Sequence, residues 1–313
     1  MSRLALFDAH CHLQDLRVAH CAPLLIKQAS EVGVRWFAVN GTSEDDWRSV
    51  KEMGESQSTV IPNFGLHPWF IPGRTNNWLE TLKGMLESTP TAAVGEIGLD
   101  LGTHGSKIDE ALQLDILKAQ LTLARNLNRP ASLHCVRAIG PLQHLLEEMG
   151  TFPAGFIMHS FTGPADAVRG LVKHGAYFSF SGFLTPLRAS KARAILQQVP
   201  RDRILLETDA PDAVPKVDPK SLLWVPDDSA TPTSGEVRQA DADIRSCCSD
   251  KNDGKTAKKD EACPLPALNH PANIRTVLKH VSTLMGVSEE ELSAVATENA
   301  TRIFSFQGSK LSL

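Results

Sequence analysis

Eight short apolar segments alternate with amphipathic helical segments along the chain. A strand followed by a helix, repeated eight times over about 250 residues, is typical of a (β/α)8 barrel. We therefore predict one α/β domain folded as a single (β/α)8 TIM barrel. An open, doubly wound parallel sheet is the alternative, and it binds ligands in one crevice only. The predicted strands cover residues 4–7, 34–39, 59–64, 91–94, 130–133, 155–158, 176–180 and 203–206.

Apolar residues at helical spacing mark the segments between these strands. In the longest segment Leu112, Ile116, Ala119 and Leu123 share one face of a helix. Ser288, followed three residues later by a glutamate, has the pattern of a capping box before the last helix. The predicted helices cover residues 22–32, 43–53, 77–87, 108–127, 139–149, 164–174, 187–199, 270–285 and 288–303.

Histidine or carboxylate side chains follow six of the eight predicted strands, and after five of these strands they are candidate metal ligands. Residues i and i+2 of a strand point to the same face, so His10 and His12 direct two imidazoles at one point. In a (β/α)8 barrel the carboxyl ends of the strands form the active face, which brings residues from distant segments together. Imidazole and carboxylate groups bind zinc and similar divalent metals. The predicted metal ligands are His10, His12, Glu96, His134, His159 and Asp209.

Four histidines and two carboxylates exceed what one catalytic ion with an open position requires. Such a set suits two divalent ions bridged by a carboxylate, an arrangement that stabilises both the attacking and the leaving oxygen of a displacement. Ligands of this kind accept Mg²⁺, Mn²⁺ or Zn²⁺, so the sequence does not choose among these metals.

The charge and cysteine content limit the class of protein. The formal net charge is −4, so any nucleic acid must bind at a local site, with bound cations supplying positive charge. The six cysteines lack the spacing of a disulfide framework, which favours a reduced cytoplasmic or nuclear protein. We predict no membrane segment, because no apolar run approaches the required length of about 20 residues. Residues 1–25 also lack the pattern of a signal peptide.

A polar segment at residues 215–264 interrupts the alternation after the eighth strand. It contains few large apolar residues and cannot bury enough surface to offset the entropy of ordering it. We predict a largely disordered insert within the barrel domain. A surface insertion without a role and a partner-binding insert are both compatible with this composition.

Six short motifs carry a family resemblance. They are DAHCH at 8–12, GLHP at 65–68, GEIGLD at 95–100, HSFTG at 159–163, ETDAP at 207–211 and NATRIF at 299–304. Together they resemble the TatD family of metal-dependent deoxyribonucleases, over essentially the whole chain outside the insert. The GEIGLD and ETDAP motifs are the most specific of the six.

The resemblance implies an amidohydrolase-like TIM barrel with a pair of divalent metal ions. It further implies hydrolysis of phosphodiester bonds in DNA, as a 3′→5′ exonuclease that prefers single-stranded ends, with endonuclease activity in some members. By position, His10 and His12 would bind the first metal, and His134 and His159 would complete the second site. Glu96 would bridge the two ions. Asp209 would bind metal and orient or deprotonate the attacking water, so Glu96 and Asp209 are the expected catalytic residues.

Four further residues are candidates for substrate binding: His67, Trp69, Arg137 and Ser160. Trp69 would stack on a base or pack on its own loop, and Ser160 would donate to a phosphate or satisfy a turn.

The chain departs from the family pattern at three places that concern substrate binding. Val136 stands where the family commonly has an arginine, and Leu101 stands where an aromatic residue is frequent. The segment 268–271 reads LNHP, without the arginine and glutamate found near the last helices of other members.

Two other functions are compatible with the same sequence. A small-molecule amidohydrolase acting on cyclic amides or esters would use the same barrel and metals, and the departures at Val136 and His270 leave this alternative open. A non-enzymatic protein would bind a partner through residues 215–264. The complete set of six ligand-type residues favours an enzyme.

Overall fold

The strands of the barrel are β1 (Leu6–Cys11), β2 (Val34–Asn40), β3 (Val60–Phe64), β4 (Ala93–Asp100), β5 (Ala131–Val136), β6 (Phe156–Met158), β7 (Ala176–Phe180) and β8 (Ile204–Leu206). They belong to a computed structural model that describes residues 4–226 and 267–312. All eight strands form one sheet of parallel pairs, and their order in space follows their order in sequence. The predicted barrel is therefore confirmed. The doubly wound alternative is wrong, because that fold reverses its strand order at a switch point.

The helices lie between consecutive strands and after β8. Those of the described residues are α1 (Ala22–Glu31), α2 (Trp47–Ser56), α3 (Trp78–Ser88), α4 (Glu110–Asn126), α5 (Ile139–Met149), α6 (Ala167–Lys173), α7 (Ala189–Gln198), α8 (Ile274–Met285) and α9 (Glu289–Phe304). Within this described part, no helix combines the length and the apolar character needed to cross a membrane.

Hydrogen bonds just beyond β8 connect the last strand to the first. The backbone N–H of Asp209 donates to the carbonyl of His10 at 2.9 Å, and that of His12 donates to the carbonyl of Ala210 at 2.7 Å. These bonds bring the ends of β1 and β8 together at the carboxyl face. Residues about 200 positions apart in sequence thus become neighbours at the mouth of the barrel.

Two apolar layers stabilise the barrel. The larger one lies between the strands and the surrounding helices, and the smaller one fills the inside of the barrel with residues such as Phe7, Ile61 and Tyr177. Phe304, at the end of α9, stacks on Phe7 with ring centroids 5.2 Å apart. Because Phe7 lies near the start of β1, α9 closes the amino end of the barrel and leaves the carboxyl end open.

Three strands extend three or more residues beyond their predicted ends. β1 continues to Cys11, β4 to Asp100 and β5 to Val136, so three predicted ligands lie within strands and not after them. The predicted ends were placed at the last apolar residue. Pairing with neighbouring strands continues past that residue, however, because polar side chains can point into the open mouth. In β4 the pairing is irregular between Val94 and Ile97, and no turn forms there.

Several helices begin later than predicted, because polar side chains order the residues before them. The carboxylate of Asp46 accepts hydrogen bonds from the backbone N–H groups of Thr42 and Ser43, and α2 begins only at Trp47. The side chain of Asp109 caps α4, which starts at the following residue.

The last two helices show one difference and one agreement. A 3-10 turn at Pro271–Asn273 precedes α8, so the helix begins at Ile274. The predicted cap of α9 is confirmed, because the Ser288 hydroxyl accepts the backbone N–H of Glu291 at 3.0 Å.

The first part of the predicted insert lies within the described residues. Pro219–Ser221 forms a 3-10 turn, and Trp224 forms an antiparallel bridge with Asn269. The backbone N–H of Leu223 donates to Asn273 Oδ1 at 2.9 Å. The remainder of the insert, 227–264, lies outside the described residues, so its disorder stays a prediction.

Candidate metal centre

The six predicted metal ligands converge at the carboxyl end of the barrel. They come from β1, β4 and β5 and from the residues that follow β1, β6 and β8. All of their side chains are largely buried, with exposed fractions between 0% and 14%. Three overlapping groups of residues have ligand atoms close enough to hold an ion: His10, His12 and Glu96; His67, Glu96 and His134; and His10, His159 and Glu207.

His10 and His12 point to the same spot, as their spacing in a strand predicts. Their Nε2 atoms are 3.1 Å apart. The Nδ1 atom of His12 donates to the carbonyl of Asn40 at 2.8 Å, which leaves the lone pair of Nε2 free. His10 Nδ1 is hydrogen bonded to the Ser132 hydroxyl at 2.8 Å. Hydrogen bonds at Nδ1 fix the ring orientation and leave both Nε2 atoms to bind a metal.

Glu96 lies between two groups of histidines. Its Oε2 atom is 3.3 Å from His12 Nε2 and 3.6 Å from His10 Nε2. Its Oε1 atom is 2.8 Å from His159 Nε2 and 3.0 Å from His134 Nδ1. The two oxygens of one carboxylate thus face different pairs of imidazoles.

Asp209 completes the group around His10 and His12. Its Oδ1 atom is 3.6 Å from His12 Nε2 and 3.9 Å from His10 Nε2. Burial raises the pKa of Asp209 to about 7, against the opposing effect of the positive charges on His159 and His12. Its backbone has the left-handed φ of +53°, which is uncommon for a residue other than glycine.

The donor atoms fit divalent metal ions. Metal–nitrogen bonds of about 2.0–2.1 Å place two ligands of one ion roughly 3–3.4 Å apart. The Nε2 atoms of His10 and His12 have this separation, and so do His134 Nδ1 and His159 Nε2, at 3.2 Å. Both pairs of imidazole nitrogens therefore have the separation that two ligands of one metal ion would have.

The charges of the cluster support the same conclusion. Burial alone raises the pKa of Glu96, but the positive charge of His159 and hydrogen bonds from His10 and His12 hold it well below its usual range. Burial alone lowers the pKa of His159, yet Glu96 and Glu207 raise it well above its usual range. The buried carboxylate therefore requires nearby positive charge. A divalent cation would supply that charge in place of protons.

His67, predicted to bind substrate, lies in the buried centre. Its Nε2 atom is 3.6 Å from Glu96 Oε1, and its ring packs edge-on against His134 with centroids 4.5 Å apart. Burial lowers its pKa to about 3, so the ring is neutral, which is the form that binds metal. The structure thus groups His67 with the ligand-type residues, and its predicted contact with substrate stays a prediction.

Trp69 lies on the loop after β3 and is half-buried. Its indole N–H donates to the carboxylate of Asp100, and its ring contacts those of His67 and His104. These contacts hold the indole ring against the ends of β3 and β4 at the mouth of the barrel. Arg137, by contrast, is exposed just after β5 and is not part of the buried centre. The substrate roles of both residues stay predictions.

Ser160 follows His159 and is hydrogen bonded to Glu207, a residue that the sequence prediction did not identify. Both its backbone N–H and its hydroxyl donate to Glu207 Oε1, at 2.7 and 2.6 Å. Glu207 is fully buried, also accepts a hydrogen bond from the Ser179 hydroxyl, and lies 3.5 Å from His159 Nδ1. It therefore orients His159 from the side opposite the ligand atom. The only feature of the sequence that could have identified Glu207 is its position directly after a buried strand.

Two further acidic residues were not assigned roles from the sequence. Asp100, at the end of β4, lies 3.4 Å from His134 Nε2 and orients that ring. Asp8 is fully buried in β1 and accepts hydrogen bonds from Thr208, the residue before Asp209. Both stand in motifs that also contain a ligand. A sequence pattern does not say which carboxylate of a motif faces the metal.

The departure at residues 268–271 does not lie in the buried centre. His270 Nε2 is hydrogen bonded to Gln28 on α1 at 2.9 Å, and its Nδ1 accepts the backbone N–H of Ala272. Asn269 donates to the carbonyl of Thr208 at 3.0 Å and so supports the segment that carries Asp209. This motif stabilises the loop after β8.

Comparisons with known proteins agree with this geometry. The family model described as TatD related DNase matches residues 7–305. An uncharacterized metal-dependent hydrolase of Bacillus subtilis, YabD, is 26% identical over 96% of this chain and 98% of its own length. The 3′-5′ ssDNA/RNA exonuclease TatD of Pantoea vagans is 27% identical, over 96% and 99%. The crystal structure of the Escherichia coli TatD homologue YJJV has the same fold, with a TM-score of 0.74 at 24% identity over 96% and 98% of the two chains.

Proposed function

The chain belongs to the TatD family of metal-dependent hydrolases, and we propose that it cleaves DNA phosphodiester bonds as a 3′→5′ exonuclease on single-stranded ends. The position of Glu96 carries the proposal. Its two oxygens face separate groups of imidazoles, as a carboxylate between two cations does. The name of the Pantoea vagans relative supports single-stranded nucleic acid as the substrate class.

Two divalent ions are the proposed cofactors. His10, His12 and Asp209 would hold one, His134 and His159 would hold the other, and the carboxylate of Glu96 would touch both. Such ions acidify a bound water and neutralise the charge that develops on the phosphate oxygens. The structure offers histidine and carboxylate ligands, which suit Mg²⁺, Mn²⁺ or Zn²⁺.

Asp209 is the proposed residue that orients the attacking water and accepts its proton. Its Oδ1 atom faces the same space as the Nε2 atoms of His10 and His12. The hydrogen bond from its backbone to the carbonyl of His10 fixes its position before substrate binds. A carboxylate that is already oriented needs little reorganisation during the reaction.

Glu207 and Asp100 support the reaction without touching the substrate. Each lies behind one histidine, His159 or His134, at 3.5 and 3.4 Å. Carboxylates in this position fix the ring and increase its basicity as a ligand. A phosphodiester can therefore approach a centre whose ligands are already in place, although the protein as a whole is acidic.

Nucleotide release from a 3′-labelled single-stranded DNA tests the proposal. We expect release by the wild type with Mg²⁺ or Mn²⁺, and none with EDTA or in Asp209→Asn. Asp202→Asn is the matched control, because it makes the same change at the exposed, amino end of β8. Release that survives both EDTA and Asp209→Asn would contradict the proposal.

A small-molecule amidohydrolase is the competing function on the same barrel. Val136 at the mouth, where the family commonly has an arginine, is the observation that favours it. Turnover of cyclic amides or esters, together with no nucleotide release under any metal, would decide for this alternative.

A further inference from the structure

Exposed apolar side chains gather at the mouth of the barrel. Five large hydrophobic side chains of the described residues are exposed: Leu16, Leu24, Val136, Phe183 and Leu223. All except Leu24, on α1, lie at or beyond the carboxyl ends of strands. Phe183 is the one aromatic member, is 48% exposed and lies in the loop after β7. Exposed apolar groups beside a catalytic centre are candidates for substrate contact.

A chain of hydrogen bonds connects Phe183 to the metal centre. The backbone N–H of Phe183 donates to the Ser181 hydroxyl at 3.3 Å. The hydroxyls of Ser181 and Ser160 are 2.6 Å apart, and Ser160 donates to Glu207. Glu207 in turn lies 3.5 Å from His159 Nδ1. The backbone that carries the exposed ring is thus connected to a predicted metal ligand.

The turn that carries Phe183 also packs tightly against the loop after β8. A Cβ atom on Gly182 would lie 1.8 Å from the carbonyl oxygen of Ala213, so only glycine fits there. The backbone N–H of Lys216 donates to the Thr185 hydroxyl at 2.7 Å. The loop after β8 also carries Asp209. The turn with Phe183 therefore contacts both the segment that carries Ser160 and the loop that carries Asp209.

Two cations follow Phe183 in the chain, Arg188 directly before α7 and Lys191 in the first turn of α7. Arg188 and Lys191 are exposed, and they line a surface depression together with Pro186, Leu187 and Ser190. No carboxylate of the described residues pairs with either cation within 4.0 Å. Cations without a carboxylate partner, five and eight residues after an exposed ring in the chain, match the phosphates and bases of a single strand.

We propose that Phe183, Arg188 and Lys191, here called the basic–aromatic rim, bind the single-stranded nucleic acid whose 3′ end enters the centre. This inference rests on the proposed function and adds the residues that grip its substrate. A base stacks on Phe183, and backbone phosphates pair with Arg188 and Lys191. Trp69 is less suited to stacking, because it is half-buried and its indole is bonded to Asp100.

Fluorescence anisotropy with a nuclease-resistant phosphorothioate oligothymidylate of about ten nucleotides tests the rim. The full-length protein in Mg²⁺ is the sample. We expect Phe183→Ala to weaken binding by about 10-fold and Phe183→Leu to weaken it nearly as much. Phe183→Trp keeps an aromatic ring and should bind as the wild type does. Leu24→Ala removes an equally exposed apolar side chain from α1 and should leave the affinity unchanged.

The salt dependence of the same binding tests the two cations. Each phosphate contact contributes about 0.7 to the slope of log affinity against log salt for single strands. The double variant Arg188→Gln, Lys191→Gln should therefore flatten the slope by about 1.4. Lys27→Gln, Lys83→Gln removes the same charge from α1 and α3 and should leave the slope unchanged.

Wild-type affinity in the Phe183→Ala and double variants would overturn the rim, and so would the absence of wild-type binding at low salt. The anisotropy assay does not depend on cleavage. If nucleotide release fails while the rim variants lose binding, the nuclease proposal falls and the rim stands. If release occurs while the rim variants bind normally, the rim falls and the nuclease proposal stands.

Discussion

Asp8 and Thr208, 200 residues apart, are joined by two hydrogen bonds where the barrel closes. Asp8 Oδ1 accepts the backbone N–H of Thr208 at 2.8 Å, and Asp8 Oδ2 accepts its hydroxyl at 2.5 Å. Both residues are fully buried. The pair fixes β1, which carries His10, to the segment that carries Asp209. It therefore links the closure of the fold to the geometry of the metal centre.

Replacing Thr208 by valine should destabilise the protein. The change keeps the shape of the side chain but leaves one carboxylate oxygen of Asp8 buried without its donor. We expect a loss of about 1.5–3 kcal/mol in the free energy of unfolding, measured by urea denaturation. Thr283→Val removes an exposed hydroxyl on α8 and should cost under about 0.5 kcal/mol. Equal losses in the two variants would contradict the role of the Asp8–Thr208 pair.

Glu207→Gln should weaken metal binding through His159. The carboxylate accepts both donors of Ser160 and lies behind the His159 ring, so an amide at this position orients the ring less well. We expect Mn²⁺ affinity to fall about 10- to 100-fold in a calorimetric titration. Glu147→Gln, on the exposed face of α5, should bind Mn²⁺ as the wild type does. Unchanged affinity in Glu207→Gln would show that Glu207 does not position the ligand.

Glu96→Ala should abolish the stabilisation of the protein by metal. A ligand present at 100 times its dissociation constant stabilises the folded state by about 2.7 kcal/mol. We therefore expect Mn²⁺ to raise the melting temperature of the wild type, EDTA to reverse the rise, and Glu96→Ala to show none. A rise of wild-type size in Glu96→Ala would exclude Glu96 as a ligand.

Gly98→Ala should prevent correct pairing of β4 with β5. A Cβ atom there would lie 2.0 Å from the carbonyl oxygen of His134, and the φ of Gly98 is +152°. We expect a loss above about 4 kcal/mol, or no folded protein, judged by circular dichroism and soluble yield. Gly84→Ala, on α3 where a Cβ has open space, should instead stabilise by about 0.5–1 kcal/mol. A well-folded Gly98→Ala would contradict the described strand pairing.

His270 should make the protein less stable in mild acid. Burial lowers its pKa to about 4 from the usual histidine value of about 6.5, so the unfolded chain binds more protons between these two values. Stability is therefore complete above about pH 6.5 and falls as the pH drops toward 4. His270→Asn keeps an acceptor for the backbone N–H of Ala272 and removes the titration. Between pH 6.5 and pH 4, the free energy of unfolding of His270→Asn should fall by roughly 1–3 kcal/mol less than that of the wild type. Denaturation at several pH values measures this difference.

The sequence predicted the number and order of the strands and the convergence of six ligand-type residues. Apolar runs mark buried strands, and strand periodicity places His10 and His12 on one face. Both signals are local, so they can be read from the sequence without knowing which strands become neighbours. The ends of β4 and β5 were placed too early because the rule stops at the first polar residue.

The network behind the ligands was not predictable in the same way. Glu207 is held by Ser160, in the loop after β6, and by Ser179 of β7, and no local pattern connects these residues. The position of His67 in the buried centre depends likewise on its distance to Glu96. Contacts of this kind follow only from the closed barrel, because they depend on which strands become neighbours.

The stacking of Phe304 on Phe7 has a consequence for synthesis on the ribosome. The ring that closes the amino end of the barrel belongs to α9, which leaves the exit tunnel after every strand has emerged. A nascent chain that already contains β1 to β7 still lacks Asp209, the partner of Asp8 and this closing ring. We therefore expect the barrel to close around His10 and Asp209 only after β8 and α9 have both emerged.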